Sequence, residues 1–291
     1  MKSIQISDVL FQAVDGYPLS GRVYEPQGRL VGTIVVAGAT GVQQKLYRRF
    51  AEYAAINGYR VLTFDYRGVG RSAPERLKNF SANYLEWGYL DSAAAVDFLY
   101  QQGTPLYLVG HSFGGYVPGL LPNYEKVSAA YVFGCGAAWS GWMAKSEAIK
   151  VNLLWKFVLP IIVKVKGFMA WSLLGMGDDI PKGVYEAWKH WSKFPHFFFD
   201  DPNMMHLRDQ YERVNFPCMF ATSQDDPWAP PRSRDALASG YPEAWTSTVD
   251  ICPNERGIGH MGYFLSGMEN LWEDALHWFQ AGATLEARAN G

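Results

Sequence analysis

Short apolar runs alternate with longer stretches that carry one apolar helical face, and glycine-containing turns separate them. Residues 8–12 and 19–24 read as two antiparallel strands joined around Asp15-Gly16, and 33–37 is the next strand. Over 44–57, Phe50, Tyr53, Ala54 and Ile56 give an apolar helical face, which Gly58 stops. A strand at 60–64, a polar glycine-rich loop at 65–72 and a helix at 84–100 follow. The apolar run at 106–109 reads as a buried strand. Pro118 and Pro122 require the helix after it to be short or kinked. Strands at 128–133, 218–222 and 245–251 and a helix at 269–279 complete the series, and the tail from Ala281 to Gly291 reads as loose. Strands and helices alternating in this way predict an α/β fold. Its sheet is mostly parallel, has about eight strands and is covered on both faces by helices.

The alternation fails between Ala137 and Phe216. This region has no convincing strand and carries Trp139, Trp142, Trp155, Trp171, Trp188 and Trp191. The pattern predicts a core of residues 1–136 and 206–291 with an aromatic helical cap inserted at 137–205. Such a cap, laid over the open end of the sheet, would make an apolar pocket. Residues 151–174 are apolar enough to suggest a membrane span, but Lys156, Lys164 and Lys166 interrupt them and Pro160 breaks them. Two short amphipathic helices are expected instead. Lysines flanking apolar residues also allow contact with a membrane surface, although a solvated helix face explains them more simply.

Composition narrows the class of protein. Of 291 residues 48% are hydrophobic, ample for a large core, and the net charge of -2 with no block of like charge gives no reason to expect a nucleic-acid partner. Cys135, Cys218 and Cys252 are odd in number and lack metal-ligand spacing. They read as reduced core residues of a cytoplasmic protein, without a metal site. The N-terminal stretch has no apolar run of signal-peptide type. A homo-oligomer is compatible with all of this, and nothing in the pattern fixes the oligomeric state.

Chemistry concentrates at Gly110-His111-Ser112-Phe113-Gly114, directly after the buried strand. G-x-S-x-G between a strand and a helix is a nucleophile elbow. Its turn is tight enough to need glycine on both sides, and its strained backbone holds the Ser112 hydroxyl exposed above the sheet. A serine needs a base. In this arrangement the acid and then the histidine follow in the chain, and His260, in a glycine-flanked loop before the last helix, fits. His111 is the elbow's variable residue and is expected to point away. His190, His196 and His206 fall in the cap, and His277 on the last helix. The acid that orients the imidazole is Asp226 or Asp225, in the loop after 218–222. Pro230, four places after Asp226, favours Asp226, and Asp225 stays as the alternative. For the oxyanion hole one N–H donor is expected from Phe113. The second is expected from the turn after 33–37, with Ala39 first and Thr40 second.

With AGATGVQQKLYRRFA at 37–51, GYRVLTFDYRGVGRS at 58–72, GHSFGG at 110–115, GMGDDIPKGVYEAW at 175–188, SQDDPWAPP at 223–231 and GHMGYF at 259–264, the chain resembles the α/β-hydrolase superfamily. Within it, the chain is similar to bacterial α/β hydrolases related to serine aminopeptidases and monoglyceride lipases. The resemblance spans nearly the whole chain. It implies an α/β-hydrolase fold with a helical cap insertion and a Ser-Asp-His hydrolase that needs no cofactor. A carboxylic ester with an acyl or aromatic part is the expected small-molecule substrate. A peptidase or amidase would need an acidic anchor for an amine, such as Asp178-Asp179 or Asp200-Asp201. An acyltransferase would use the same triad, and a non-catalytic ligand-binding module would sit on the same fold. A dehalogenase would carry aspartate in place of Ser112.

Overall fold

The computed structural model describes residues 4–289. Eight strands form one sheet: β1 (Ile6–Gln12), β2 (Pro18–Tyr24), β3 (Gly32–Ala37), β4 (Tyr59–Phe64), β5 (Leu106–His111), β6 (Ala129–Phe133), β7 (Cys218–Ser223) and β8 (Thr246–Ile251). Their spatial order is β1-β2-β4-β3-β5-β6-β7-β8. β1 with β2 and β2 with β4 are antiparallel, and every other pair is parallel. The central strands β3 and β5 are buried at every residue, as continuous apolar runs covered on both faces must be.

The helices are α1 (Arg48–Ile56), α2 (Ala93–Leu99), α3 (Val117–Leu120), α4 (Lys145–Leu153), α5 (Leu159–Lys166), α6 (Lys182–Trp191), α7 (Met205–Tyr211), α8 (Pro231–Ala238) and α9 (Glu269–Ala289). Phe50 and Ala54 of α1 and Leu271, Trp272 and Ala275 of α9 belong to the buried apolar cluster on one face of the sheet. A larger cluster on the other face takes in α2, α3 and the aromatic residues of α6 and of Phe197–Phe199.

Several elements depart from the sequence pattern. The helix expected over 44–57 begins as a 3-10 turn, Gln44–Tyr47, before α1. The one expected over 84–100 enters through a π turn, Trp87–Ser92. There the Ser92 hydroxyl donates to the Trp87 carbonyl at 2.7 Å, which caps a carbonyl in the widened turn. After the elbow α3 is indeed short. α9 runs ten residues past its expected end, into the tail read as loose, so that tail is helical to Ala289 and its last two residues lie outside the described ones. Cys135 and Cys218 are buried, but Cys252, just past the end of edge strand β8, is exposed and is not a core residue.

Between Ala137 and Phe216 the described residues contain no strand, only an isolated bridge between Met169 and Ile180. Pro160 does not break the chain into two helices as expected. α4, a π turn at Leu154–Val158 and α5 form one uninterrupted helical run. Pro160 is the second residue of α5, directly after the π turn, whose wider spacing lets the helix pass a residue that has no N–H to donate. Among the described residues no helix is long and apolar enough to cross a membrane.

Candidate active site

β5 delivers the chain into a 3-10 turn, Ser112–Gly115, and Ser112 takes φ 51°, one of three non-glycine residues with positive φ among those described. A residue other than glycine is held there only when its surroundings fix it. The glycine two places on is required by space, because a Cβ at Gly114 would collide with the Ala37 carbonyl at the end of β3. Phe113 is buried, with its ring edge-on to Tyr66 and Trp87 at centroid distances of 5.3 Å. Its N–H lies in the first turn of the helical segment, where amides have no intrahelical acceptor.

The structure brings Ser112, His260 and Asp226 together from three loops. His260 Nε2 is 3.1 Å from Ser112 Oγ, and its Nδ1 lies 2.9 and 3.1 Å from the two Asp226 oxygens. A carboxylate can only accept, so Nδ1 carries the proton and Nε2 presents a lone pair to the serine hydroxyl. Asp226 is 2% exposed and accepts further bonds from the Tyr263 hydroxyl and from the N–H groups of Trp228 and Ala229, each at 2.9 Å. Burial alone would raise its pKa. The His260 charge and these donors outweigh burial and hold the carboxyl below the usual range. Gly134, at the end of β6, leaves room for this arrangement, since a Cβ there would lie 2.9 Å from Asp226 Oδ2 and 2.7 Å from the Tyr263 ring.

Asp225 does something else. Its oxygens accept from the N–H groups of Ile258 and Gly259 at 2.8 and 3.0 Å, and so hold the loop that carries His260. The two adjacent carboxylates are thus divided between the imidazole and the backbone that carries it.

The second expected oxyanion donor needs correction. The Ala39 N–H donates to Tyr47 Oη at 2.7 Å, and a committed donor cannot face an oxyanion without breaking that bond. The next residue, Thr40, lines the cavity above Ser112, and its hydroxyl is 2.6 Å from that of Tyr84.

Sequence reasoning also missed His111. Its side chain does point away from the cavity, but it is fully buried and fully engaged. Nδ1 is 3.0 Å from Tyr47 Oη, and Nε2 is 2.8 Å from the His260 carbonyl. That carbonyl can only accept, so Nε2 carries the proton and Tyr47 donates to Nδ1. Burial, then the nearby His260 charge, lower the His111 pKa to about 3 and keep the ring neutral. Through this ring the turn at 38–41 and the His260 loop are tied to the elbow. The signal in the sequence was a polar residue ending an otherwise apolar strand.

A cavity of about 720 Å³ opens over Ser112 and His260. Its walls include Tyr84, Tyr116, Trp171, Met176, Trp188 and Trp228. Asp178 fastens one side: its N–H donates to the Gly41 carbonyl at 2.7 Å, and its Oδ2 accepts from Gln43 Nε2 at 2.6 Å and the Gly70 N–H at 3.2 Å. The other acidic groups considered as amine anchors are occupied too. Asp179 accepts from the Ser172 N–H, Asp201 from His190, Trp191 and the Asn203 N–H, and Asp200 from the His196 N–H. Among the described residues no group of three or more His, Cys, Asp or Glu side chains is placed to hold a metal ion.

The sequence model of the alpha/beta hydrolase family matches residues 34–270. A monoglyceride lipase of Saccharomyces cerevisiae is 29% identical over 110 residues, a stretch that covers 37% of this chain and 33% of that protein, so the match spans about a third of the relative. Among solved structures, a soluble variant of the S. cerevisiae monoglyceride lipase in complex with a substrate analogue superposes with a TM-score of 0.69 at 16% identity, over 97% of this chain and 96% of that one. DcsB in complex with its substrate analogue gives 0.65 at 15% identity, over 96% and 100%. Est1E from Butyrivibrio proteoclasticus with bound ferulic acid gives 0.62 at 13%, over 95% and 99%. At these identities the structural likeness speaks for the fold.

Proposed function

Because this chain belongs to the alpha/beta hydrolase family, we propose that it is a serine hydrolase that cleaves carboxylic esters with an apolar acyl or aromatic part. One observation carries this reading. A serine on a strained turn lies 3.1 Å from an imidazole whose other nitrogen is held by a buried carboxylate, beneath a largely apolar cavity. The monoglyceride lipase matches favour the same substrate class.

In this mechanism His260 Nε2 takes the Ser112 proton as Oγ bonds to the acyl carbon. The oxyanion is met by the N–H of Phe113 and, in place of Ala39, the N–H of Thr40. His260 passes the proton to the leaving alcohol as the C–O bond breaks and the acyl-enzyme forms. It then takes a proton from water, whose oxygen attacks the acyl carbon; the acid leaves and the serine proton returns. Asp226 holds the Nδ1 proton throughout and stabilises the imidazolium. Residues 137–205 act as the cap, which adds Trp171, Met176 and Trp188 to the apolar walls. A peptidase is the weaker reading, because the acidic side chains that might anchor an amine are already hydrogen-bonded within the protein.

Hydrolysis of p-nitrophenyl esters from acetate to laurate tests the proposal. Wild type is expected to turn them over. Ser112→Ala is expected to lose on the order of 10⁴-fold or more in kcat, with its fold intact. Failure of wild type on every ester, together with failure of a fluorophosphonate to label Ser112, sinks the proposal and leaves a ligand-binding module. Labelling without ester turnover redirects the search to amides or to a specific acyl acceptor.

A further inference from the structure

The helical run formed by α4, the π turn and α5 carries two apolar stripes. Val151, Trp155, Leu159 and Val163 repeat every four residues and are buried. Ile149, Leu153, Phe157, Ile161 and Val165 repeat with the same spacing, two positions out of phase, and are 62%, 53%, 61%, 64% and 73% exposed. An offset of two residues is a rotation of about 200° in an α-helix, so the second stripe lies opposite the first. A four-residue spacing drifts by about 40° per repeat at 3.6 residues per turn, and the wider π turn at Leu154–Val158 takes up part of that drift. A helix apolar on opposite sides is ordinarily covered on both.

The charges around this stripe point to what covers it. The run holds Lys145, Lys150, Lys156, Lys164 and Lys166 against a single acidic residue, Glu147, in a chain whose net charge is -2. Glu147 is itself paired with Lys150 at 2.7 Å. Between α5 and α6 a second cavity, of about 610 Å³, is lined by Lys164, Lys182, Lys189 and Lys193, with Glu186 and His190. Lys182 pairs with Glu186 at 3.4 Å, and burial, then the like charge of Lys193, lower the Lys189 pKa. A second copy of the chain fits poorly, because a two-fold pairing through this stripe would bring the same lysine-rich helix up against itself.

We propose that this face is a docking surface for a phospholipid bilayer carrying anionic headgroups. The stripe enters the boundary between headgroups and acyl chains, and the flanking lysines meet the anionic lipid. The helix lies on the membrane rather than across it, consistent with the lack of any span-length apolar helix among the described residues. The proposal does not depend on the chemistry assigned to Ser112.

Co-sedimentation of the full chain with vesicles of phosphatidylcholine, with and without phosphatidylserine, tests it. Wild type is expected to sediment with the anionic vesicles and to be released by salt. Phe157→Ser with Ile161→Ser is expected to lower the vesicle partition constant by about tenfold or more. Lys156→Glu with Lys164→Glu is expected to do the same on anionic vesicles. Thermal unfolding of each variant separates lost docking from lost fold. If the double serine variant melts early, Val165→Ser, at the most exposed stripe position, replaces it. The proposal is overturned if wild type sediments with neither vesicle, or if neutral and anionic vesicles bind alike and charge reversal is silent. It is also overturned if the stripe substitutions instead turn a dimer into a monomer by sedimentation velocity, which would assign the stripe to a second copy.

Discussion

The floor and the roof of the cavity above Ser112 are built on different principles. On the floor, the polar atoms of Ser112, His260, Asp226, Asp225, His111 and Tyr47 are hydrogen-bonded to one another or to a named backbone group. The roof is formed by Trp171, Met176 and Trp188 and is fastened to the floor through Asp178. Hydrogen bonds have direction, so the floor fixes where a proton goes. Apolar contact needs only area and shape, so the roof can select a substrate without orienting a reaction. Substitutions in the two regions should therefore fail differently.

Asp226→Asn should have the largest effect. The amide can no longer hold the Nδ1–H tautomer of His260, and kcat should fall on the order of 10⁴-fold for every ester that wild type accepts. Asp225→Asn weakens only the support of the 257–260 loop and should cost up to about a hundredfold, through misplacement of the imidazole. Steady-state kinetics on p-nitrophenyl butyrate checks both; a larger loss in Asp225→Asn would exchange the two roles.

The same floor predicts an acid sensitivity. His111 is neutral in the fold with a pKa of about 3, whereas the unfolded chain protonates it below its ordinary 6.5. The unfolded state therefore binds more protons between those values, and the stability contributed by His111 is complete above pH 6.5 and lost progressively toward pH 3. The slope approaches about 1.4 kcal/mol per pH unit for one such group. Asp91, pushed up to about 6 by burial, contributes with the opposite sign between its ordinary 3.8 and that value. The readout is accordingly the difference between wild type and His111→Gln in urea unfolding from pH 7 to 4, and the variant should show the smaller loss on acidification. Equal slopes would mean that His111 is not held neutral.

What could be read from the sequence follows the same division. All eight strands, the elbow with Ser112, and His260 in its glycine-flanked loop were visible because apolar periodicity and glycine at fixed places are local requirements. The choice between Asp225 and Asp226 rested on a proline spacing, and only the fold shows that one faces the imidazole while the other holds the Ile258 and Gly259 amides. Ala39 was named by position along the turn. Its N–H is directed at Tyr47, eight residues on, a partner that no local pattern announces. His111 looked idle because its two partners come from residues 64 and 149 positions away. Pro160 looked like a breaker because the π turn before it, which lets the helix continue, has no simple sequence signature.

The roof should yield the smallest and most selective change. Met176 lines the cavity and is 40% exposed, so its side chain can be shortened without opening a hole in the core. Met176→Ala removes three heavy atoms that a long acyl chain would cover. At about 25 cal/mol per Å² of apolar surface, this corresponds to roughly 1–1.5 kcal/mol, or about a tenfold loss in kcat/KM for laurate. Acetate does not reach so far and should be hydrolysed as by wild type. The loss should appear in KM, because contact with the acyl chain is the same in the ground and transition states. A fall in kcat shared by acetate and laurate would instead mean that the roof positions the floor, through the Asp178 bonds to Gly41 and Gln43 that lie two residues from Met176.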